Sequence, residues 1–257
     1  LDGAADFKVS TMSGVRIARD GQIHRITLAK PERRNAFDAE LIRELHEAFS
    51  DVGDARVVVL AGEGPSFSAG ADVEWQRSAV ELSYDENVED ALRLYRMLEA
   101  IDSCPAPVVG RIQGYALGGG SGVAACLDIG IASEDAVFGF SEVKLGIIPA
   151  VISPFVLPRI GAAARRYFLT GERFDAPTAL RIGLVSEVSD DLDGAVERVV
   201  DELLTSGPEA TRAAKRLARE RPGGEEAAQI AARLRAGEEG QEGLRAFLER
   251  RKPAWIE

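Results

Sequence analysis

Three short and almost wholly apolar runs constrain the fold of this chain more than any other feature of its sequence. They span residues 56–61, 108–112 and 128–132. Runs of this length and composition are typical of strands that are covered on both faces, which requires helices on either side of the sheet. Helical patterns lie between them, so we predict an α/β fold whose loops gather at one end of the sheet.

A hairpin and a helix are predicted ahead of the first of these runs. Residues 15–18 and 23–28 flank Asp20 and Gly21, a dipeptide that favours a two-residue hairpin turn. Asp38 follows as the predicted N-cap of a helix whose apolar residues share one face. The fold is therefore expected to begin with two antiparallel strands and a helix that packs on them.

The chain divides into three predicted parts. Residues 1–12 are expected to be a flexible N-terminal segment or the remnant of an expression tag, with Met12 as the natural start. Residues 13–190 form the predicted core with the active site. From 191 to 257 the sequence is rich in Arg, Glu and Ala at helical spacing and has no strand-like run, so this region is predicted to be helical.

Charge and cysteine content narrow the function classes. The chain has 31 Lys and Arg residues against 42 Asp and Glu residues, which gives a formal net charge of −11. Such a protein repels a nucleic-acid backbone and an anionic membrane surface, and the sequence has no apolar span of membrane length. Cys104 and Cys126 form no Cys-x-x-Cys motif, so we expect neither disulfides nor a metal site. A reducing cytoplasm fits this composition best.

Three loops carry the residue types that chemistry needs, at residues 64–72, 114–122 and 138–149. The first two are built from small residues and glycine, which allow a ligand to approach the backbone closely. The second leads into a predicted helix, whose free N–H groups suit an anion. The third places Glu142 among apolar neighbours, where burial would raise its pKa and suit it to proton transfer.

Each of these features also has a purely structural interpretation. Glycine-rich loops are often tight connections between strands and helices, and Glu142 is equally suited to pair with Lys144 or with an arginine. His24 and His46 lie in strand-like and helical patterns and are predicted to be structural. Ser121 does not fit a nucleophile elbow, because the second glycine of that motif is missing. From the residues alone, both interpretations stay open.

The order of the three loops resembles the enoyl-CoA hydratase/isomerase (crotonase) family. The similar segments are residues 28–37, 68–72, 114–120, 166–171 and 240–253. The resemblance implies a crotonase-type fold, which is a right-handed ββα spiral core with a C-terminal helical trimerisation region. It also implies self-association as a homotrimer or a dimer of trimers, with an acyl-CoA thioester as the substrate.

Site residues follow from the same resemblance. It implies that the backbone N–H groups of Ala71 and Gly119 bind the thioester oxygen and that Glu142 transfers the proton. Coenzyme A enters as part of the substrate, so no separate cofactor is expected. The residues implied to bind the substrate are Lys30, Arg33, Ser68, Ala69, Ala71, Asp72, Val73, Gly118, Gly119 and Lys252. The three cationic members of this set are the predicted partners of the coenzyme A phosphates.

One departure from the family pattern bears directly on the chemistry. A typical hydratase has two catalytic glutamates, and Gly122 stands here in place of the first. Within the family, the amino-acid sequences of the loops resemble those of the bacterial methylglutaconyl-CoA hydratase-like branch. This resemblance implies that the protein hydrates its substrate and acts in leucine degradation. An isomerase that uses Glu142 as its single proton shuttle is the alternative, and a non-catalytic acyl-CoA-binding protein is another.

Overall fold

Two sheets form the centre of the computed structural model, which describes residues 8–256. Seven strands make the larger sheet, in the order β1-β2-β3-β4-β5-β7-β10, and three make the smaller one, in the order β6-β8-β9. The strands are β1 Lys8–Thr11, β2 Val15–Asp20, β3 Ile23–Leu28, β4 Val57–Gly62, β5 Val108–Ile112, β6 Tyr115–Leu117, β7 Ile129–Ser133, β8 Val137–Gly139, β9 Arg173–Asp175 and β10 Glu187–Ser189.

Helices cover the larger sheet and continue beyond it. They are α1 Ala39–Ser50, α2 Val73–Ser78, α3 Tyr84–Asp102, α4 Gly119–Cys126, α5 Ser153–Ile160, α6 Ala164–Thr170, α7 Ala176–Ile182, α8 Leu192–Thr205, α9 Pro208–Glu220, α10 Gly224–Ala236 and α11 Glu238–Glu249. Short 3-10 turns occupy Pro31–Arg33, Ala79–Glu81, Glu142–Leu145 and Gly161–Ala163.

The three apolar runs form central strands of the larger sheet, as predicted. The run at 108–112 coincides with β5, and the other two begin and end one residue later than expected, as β4 and β7. The strands from β3 to β10 in this sheet are parallel. Their carboxyl ends therefore meet at one edge, which is where the loops that follow β4 and β5 begin.

The hairpin is present, with its turn one residue later than predicted. Asp20 is the last residue of β2 and pairs with Ile23, so Gly21 and Gln22 form the loop. Gly21 has a φ of +54°, which glycine adopts at little cost. The predicted N-cap is also confirmed, because an Asp38 carboxylate oxygen accepts a 2.8 Å hydrogen bond from the backbone N–H of Leu41.

The N-terminal boundary differs from the expectation of a flexible segment over residues 1–12. Lys8–Thr11 is strand β1, which pairs antiparallel with β2. The prediction is therefore wrong for residues 8–11, because the open edge of β2 offers unpaired backbone groups that this segment satisfies. Residues 1–7 lie outside the described residues.

Repeated ββα units build the core. In the first unit β5 belongs to the larger sheet, β6 to the smaller sheet, and α4 follows. The second unit repeats this order with β7, β8 and α5. This alternation between two sheets is the ββα architecture that the resemblance implied.

The C-terminal region is helical, although its first helix belongs to the core. Apolar residues of α8, including Val196 and Val200, pack against Val57, Val109 and Ile131 of the larger sheet. Helices α9, α10 and α11 bury far less, with Ala213 and Ala246 as their buried residues in the described chain. The predicted division at residue 191 therefore cuts through one packing unit. None of the helices in residues 8–256 is long and apolar enough to cross a membrane.

Candidate active site

Backbone hydrogen bonds join the loop after β4 to strand β6. The N–H of Ser68 donates to the carbonyl of Tyr115 at 2.9 Å, and the N–H of Leu117 donates to the carbonyl of Ser68 at 3.0 Å. The loop therefore runs parallel to β6 like one more strand. This pairing holds the segment that contains Ala71 beside the start of α4.

Two backbone N–H groups at this junction are free. Phe37 pairs with the residues on both sides of Ala71, by accepting from Asp72 at 2.9 Å and donating to Gly70 at 2.7 Å. Within residues 8–256 no acceptor contacts the N–H of Ala71 itself. Gly119 is the first residue of α4, and its N–H likewise has no acceptor in the described chain. Free donors at a helix start attract developing negative charge.

The glycines of the run are required by close contacts and by backbone conformation. Gly118 has φ +50° and ψ −117°, a combination that is essentially restricted to glycine. A Cβ on Gly120 would lie 2.6 Å from the carbonyl oxygen of Ser68. The run therefore lets α4 start directly against the neighbouring loop, with its N–H groups exposed to the cleft.

Glu142 stands beside this junction as the first residue of its 3-10 turn. The segment that leads to it is anchored by Phe140, whose ring centroid lies 5.1 Å from that of Phe168 and 5.9 Å from that of Phe174. One carboxylate oxygen, Oε1, lies 3.4 Å from the position of a Cβ on Gly118. The acid is thus held next to the two free N–H groups.

No side chain of the described residues pairs with the Glu142 carboxylate. Its Oε2 atom is buried without a hydrogen bond, and across residues 8–256 no lysine or arginine pairs with it. Burial raises the pKa of this carboxyl above its usual value. The interpretation of Glu142 as a salt-bridge partner of Lys144 is therefore wrong, and the carboxyl is available for proton transfer.

The position of the missing glutamate is filled by an apolar side chain. A Cβ on Gly122 would lie 2.5 Å from Cγ2 of Ile152 and 3.8 Å from Cδ2 of Leu98. Gly122 itself is buried. Among the described residues, the three atoms nearest to the place where the glutamate side chain would begin are carbon atoms of Ile152 and Leu98.

Comparison with known proteins decides the family. The family model of enoyl-CoA hydratase/isomerase matches residues 18–257. The chain belongs to this family. The free N–H groups of Ala71 and Gly119 and the acid Glu142 lie within the matched residues.

Solved structures and curated relatives agree in fold and length. The crystal structure of an enoyl-CoA hydratase from Shewanella pealeana is 38% identical, covers 95% of this chain and 97% of its own, and has a TM-score of 0.91. A crotonyl-CoA hydratase from Syntrophomonas wolfei is 32% identical over 88% of this chain and 92% of its own length. A cyclohexa-1,5-dienecarbonyl-CoA hydratase from Thauera aromatica is 32% identical over 94% and 95%. The core is thus of the crotonase type.

Asn35 organises the crotonase loops and was not predicted from the sequence as a site residue. It is buried with a φ of +52°. Its side-chain amide donates to the carbonyls of Glu63 and Ser66 at 2.9 and 2.8 Å, and its side-chain oxygen accepts from the N–H of Lys30. Its backbone carbonyl accepts from the Ser68 hydroxyl. Asparagine tolerates this left-handed conformation, which was the signal available in the sequence.

Three of the residues predicted to bind substrate, of which Ser68 and Asp72 were expected to do so mainly through backbone, have side chains that bond within the protein. The Lys30 ammonium binds Asp38 at 2.8 Å and Glu40 at 3.1 Å, and its side chain is only 12% exposed. Lys30 is therefore not a free cation, which disfavours its assignment to the phosphates, and that assignment stays a prediction. Ser68 is fully buried with its hydroxyl, N–H and carbonyl all bonded within the protein. Asp72 caps α2 by accepting from Glu74 and Trp75, so it positions the loop rather than contacting a ligand.

Three other members of the predicted set remain accessible. Arg33 is about half exposed, and one of its nitrogens donates to Asp72 at 3.1 Å, which fixes the guanidinium beside the loop. Val73 is 66% exposed at the start of α2. Ala69 donates its N–H to the carbonyl of Arg34 and is partly exposed. These residues border the route by which a ligand approaches Ala71.

Lys252 lies at the other end of the sheet within its own chain. Trp255, three positions further on, accepts a hydrogen bond from Arg56 at 3.0 Å, and Arg56 immediately precedes β4. The site is at the far end of β4, beyond Gly62. Six residues of strand separate the two ends by about 20 Å. The tail that contains Lys252 is thus tied to the amino end of the sheet within its own chain, and the assignment of Lys252 to the coenzyme A phosphates stays a prediction.

The remaining polar candidates are structural, as predicted. The buried Ser121 hydroxyl donates to the carbonyl of Ala116 at 2.6 Å and accepts from the N–H of Gly139, which ties α4 to β6 and β8. His24 is buried in β3, and a ring nitrogen of His46 contacts the carbonyl of Arg96 at 3.2 Å. In the part of the chain that the structure describes, no group of three or more potential ligands is placed to hold a metal.

A cavity of about 1010 Å³ lies away from this site, between α9 and the body of the protein. Its charged residues are largely paired, as Lys215 with Asp128 at 2.6 Å and Arg219 with Asp102. Lys215 also donates to the carbonyl of Ala106. These bonds attach α9 to the amino ends of the strands, so the cavity marks a loosely packed helix and not the catalytic cleft.

Proposed function

We propose that this protein is an enoyl-CoA hydratase that adds water across the 2,3 double bond of an acyl-CoA thioester, with Glu142 as its only acid-base group. The observation that carries the proposal is the buried and unpartnered Oε2 of Glu142 beside two free backbone N–H groups. An unpaired buried carboxylate costs stability, so its retention next to free donors favours a catalytic role.

The proposed reaction uses each group once. The thioester oxygen accepts hydrogen bonds from the N–H groups of Ala71 and Gly119, which stabilise the charge that develops on it by about 3 kcal/mol each. Ionised Glu142 removes a proton from water as the hydroxyl adds to C3. The protonated Glu142 then returns that proton to C2, so one molecule of water is added and the carboxylate is regenerated.

The nature of the acyl group is also part of the proposal. Relatives named as hydratases of crotonyl-CoA and of cyclohexa-1,5-dienecarbonyl-CoA favour hydration of an unsaturated thioester. A methylglutaconyl-CoA-like substrate stays a candidate because the loop sequences resemble those of the methylglutaconyl-CoA hydratase-like branch. Arg33 is the cation of this chain that we assign to the coenzyme A phosphates, and the neighbouring backbone of Ala69 and Val73 is assigned to the rest of the coenzyme.

A specific observation also supports double-bond isomerisation as the second candidate. Ile152 takes the place of the first glutamate, so a second acid that would help to hold water is absent beside Gly122. A single carboxylate is sufficient to move a proton from C2 of a 3-enoyl thioester to C4. Isomerisation needs no added water, and the apolar surroundings of Gly122 suit it.

Three substrates distinguish these possibilities. We would incubate the purified protein with crotonyl-CoA, a 3-enoyl-CoA and 3-methylglutaconyl-CoA, and follow the products by mass spectrometry. Hydration adds the mass of one water, whereas isomerisation leaves the mass unchanged and shifts the double bond. Turnover of the 3-enoyl thioester without any hydrated product would replace the hydratase by the isomerase. Turnover of none of the three would leave a non-catalytic acyl-CoA-binding protein.

A further inference from the structure

The side chain of Ile152 occupies the volume in which a residue at position 122 would place its own side chain. A Cβ on Gly122 would lie 2.5 Å from Cγ2 and 3.0 Å from Cβ of Ile152. Non-bonded carbon atoms prefer about 3.5 to 4.0 Å, so even a methyl group at this position requires Ile152 to move. Ile152 and Gly122 are thus two halves of one packing contact.

Glu142 and Ile152 lie against two positions that are one helical turn apart at the start of α4, the N-cap Gly118 and Gly122. Gly118 and Gly122 are four residues apart, and the N–H of Gly122 donates to the carbonyl of Gly118 at 3.0 Å. Residues at this spacing lie on one helix face about 5 to 6 Å apart. Glu142 contacts the position above Gly118, and Ile152 contacts the position above Gly122. An acyl group that leaves the two free N–H groups along this face meets both side chains.

The wall that Ile152 forms is rigid and apolar. Ile152 is 2% exposed and Leu98 is fully buried. The rings of Tyr95 and Phe155, with centroids 5.6 Å apart, link α3 to α5 on either side of this contact. A buried water needs two to four polar partners, and the neighbours of the Gly122 Cβ position are carbon atoms. At the Gly122 Cβ position, the nearest atoms of the described chain offer no partner to water or to a polar acyl substituent.

On the basis of the acyl-CoA chemistry proposed above, we propose that Ile152 is a specificity-determining residue. Its side chain closes the α4 side of the cleft beside Glu142 and limits the hydrocarbon that fits next to the reacting carbons. The acyl group that the site takes is therefore apolar and unbranched at C3, which disfavours the C3-branched and carboxylated methylglutaconyl-CoA among the candidate substrates named above. Loss of the Ile152 side chain opens room for one additional methyl group at that carbon.

Binding of saturated thioesters tests this without any turnover. Butyryl-CoA and 3-methylbutyryl-CoA differ by one methyl at C3, and calorimetric titration gives the affinity of the wild type and of Ile152→Ala for each. We expect Ile152→Ala to shift the affinity ratio toward the branched thioester by about tenfold, the usual effect of one methylene in an apolar pocket. A shift below threefold, or failure of both thioesters to bind the wild type, would overturn the proposal.

Ile160→Ala is the matched control, because it removes the same atoms from a nearly buried residue at the end of the same helix. We expect a similar loss of thermal stability and an unchanged affinity ratio. An equal shift of the ratio in both variants would mean that a loosened α5, and not the wall at Ile152, controls selection. Since these ratios need no catalysis, an inactive wild type would refute the proposed function while leaving this test intact.

A second measurement addresses the packing contact itself. Alanine normally stabilises a helix relative to glycine, but Gly122→Ala is expected to lower the melting temperature because its methyl meets Ile152. In the Ile152→Ala background the same change should be neutral or stabilising. An equal loss of melting temperature in both backgrounds would show that Ile152 does not fill the position above Gly122.

Discussion

Oε1 of Glu142 lies 3.4 Å from the place that a Cβ on Gly118 would occupy, which puts the acid directly against the start of α4. Because the next N–H in the chain is that of Gly119, the proposed proton-transfer group and a proposed oxyanion donor are adjacent. Glu142→Gln keeps the shape of the side chain and removes its acid-base function. We expect this variant to lower kcat by a factor of about 10² to 10⁴, the usual contribution of such a group, as measured by steady-state kinetics.

Glu134→Gln is the control for this substitution, since Glu134 is exposed and lies between β7 and β8, away from the cleft. It should retain wild-type kcat. Both variants should bind a saturated acyl-CoA as tightly as the wild type, because the free N–H groups are unchanged. Full activity in Glu142→Gln would remove Glu142 from the mechanism.

As pH is lowered, activity should be lost at a higher pH than it would be if Glu142 had the usual pKa of a glutamate. Burial raises the pKa of Glu142 above its usual 4.5, and the proposed mechanism needs the ionised form to accept a proton. The profile of kcat/KM against pH should therefore have an acidic limb whose midpoint lies above 4.5. A midpoint at or below that value would contradict the buried environment seen in the structure.

Ionisation of Glu142 should affect stability in the opposite direction to activity. As pH rises, activity should increase, whereas the free energy of unfolding should fall. The folded chain holds the Glu142 proton more tightly than the unfolded chain, so the free energy of unfolding falls as pH rises from 4.5 through the raised pKa. Glutamine does not titrate and escapes this loss. The melting temperature of Glu142→Gln relative to wild type should therefore increase between pH values below 4.5 and neutral pH. An unchanged difference across that range would argue against the raised pKa.

Local patterns were enough to predict much of the fold and part of the site. A strand that is covered on both faces must be apolar throughout, so β4, β5 and β7 were visible as runs of residues. The cap of α1 depends only on Asp38 and the first turn of the helix, and it too was predicted. The glycine run and Glu142 gained meaning from their order along the chain, which the resemblance to the family supplied.

Contacts between distant segments could not be predicted in the same way. Ile152 fills the place above Gly122 because α4 and α5 pack together, and nothing in either local pattern indicates that contact. Lys30 was interpreted as a free cation, but the fold brings Asp38 and Glu40 to its ammonium. The position of Lys252 depends on the C-terminal tail, which folds back to Arg56.

Arg33 and Lys30 are cations of the segment 28–37. We expect Arg33 to bind substrate and Lys30 to stabilise the fold. Arg33→Gln is expected to raise KM for an acyl-CoA by about three- to tenfold with kcat nearly unchanged, because a charged contact with phosphate is lost. Lys30→Gln should leave KM unchanged and lower stability by about 1 to 3 kcal/mol, since it removes hydrogen bonds to two carboxylates. Kinetics and thermal unfolding of both variants measure this.

Arg43→Gln serves as the surface control for these two variants, because Arg43 is exposed and pairs with Glu47 within α1. It should change neither KM nor, beyond a few tenths of a kcal/mol, stability. A rise of KM in Lys30→Gln as large as that in Arg33→Gln would restore Lys30 to the binding site.

Helix α11 carries apolar residues that nothing covers within the described chain. Phe247 and Leu248 are 80% and 77% exposed, and Leu244 is 45% exposed. Contiguous exposed apolar side chains commonly mark a protein interface, and we expect this helix to contribute to self-association as a trimer. Phe247→Glu should shift the mass measured by light scattering toward the monomer. Val80→Glu, at an equally exposed site outside the C-terminal region, is the control and should leave the mass unchanged.

Gly118 and Gly161 share nearly the same backbone conformation. A comparison of alanine variants at the two positions therefore separates the effect of backbone strain from an effect on catalysis. Their φ and ψ angles are +50° and −117° for Gly118, and +49° and −126° for Gly161. Alanine at either position should cost about 1 to 3 kcal/mol of backbone strain. A Cβ on Gly161 meets nothing within 4 Å, whereas one on Gly118 would contact Oε1 of Glu142 at 3.4 Å. We therefore expect similar losses of thermal stability in the two variants, but a loss of kcat only in Gly118→Ala. Equal activities in the two variants would show that the contact with Glu142 has no catalytic consequence.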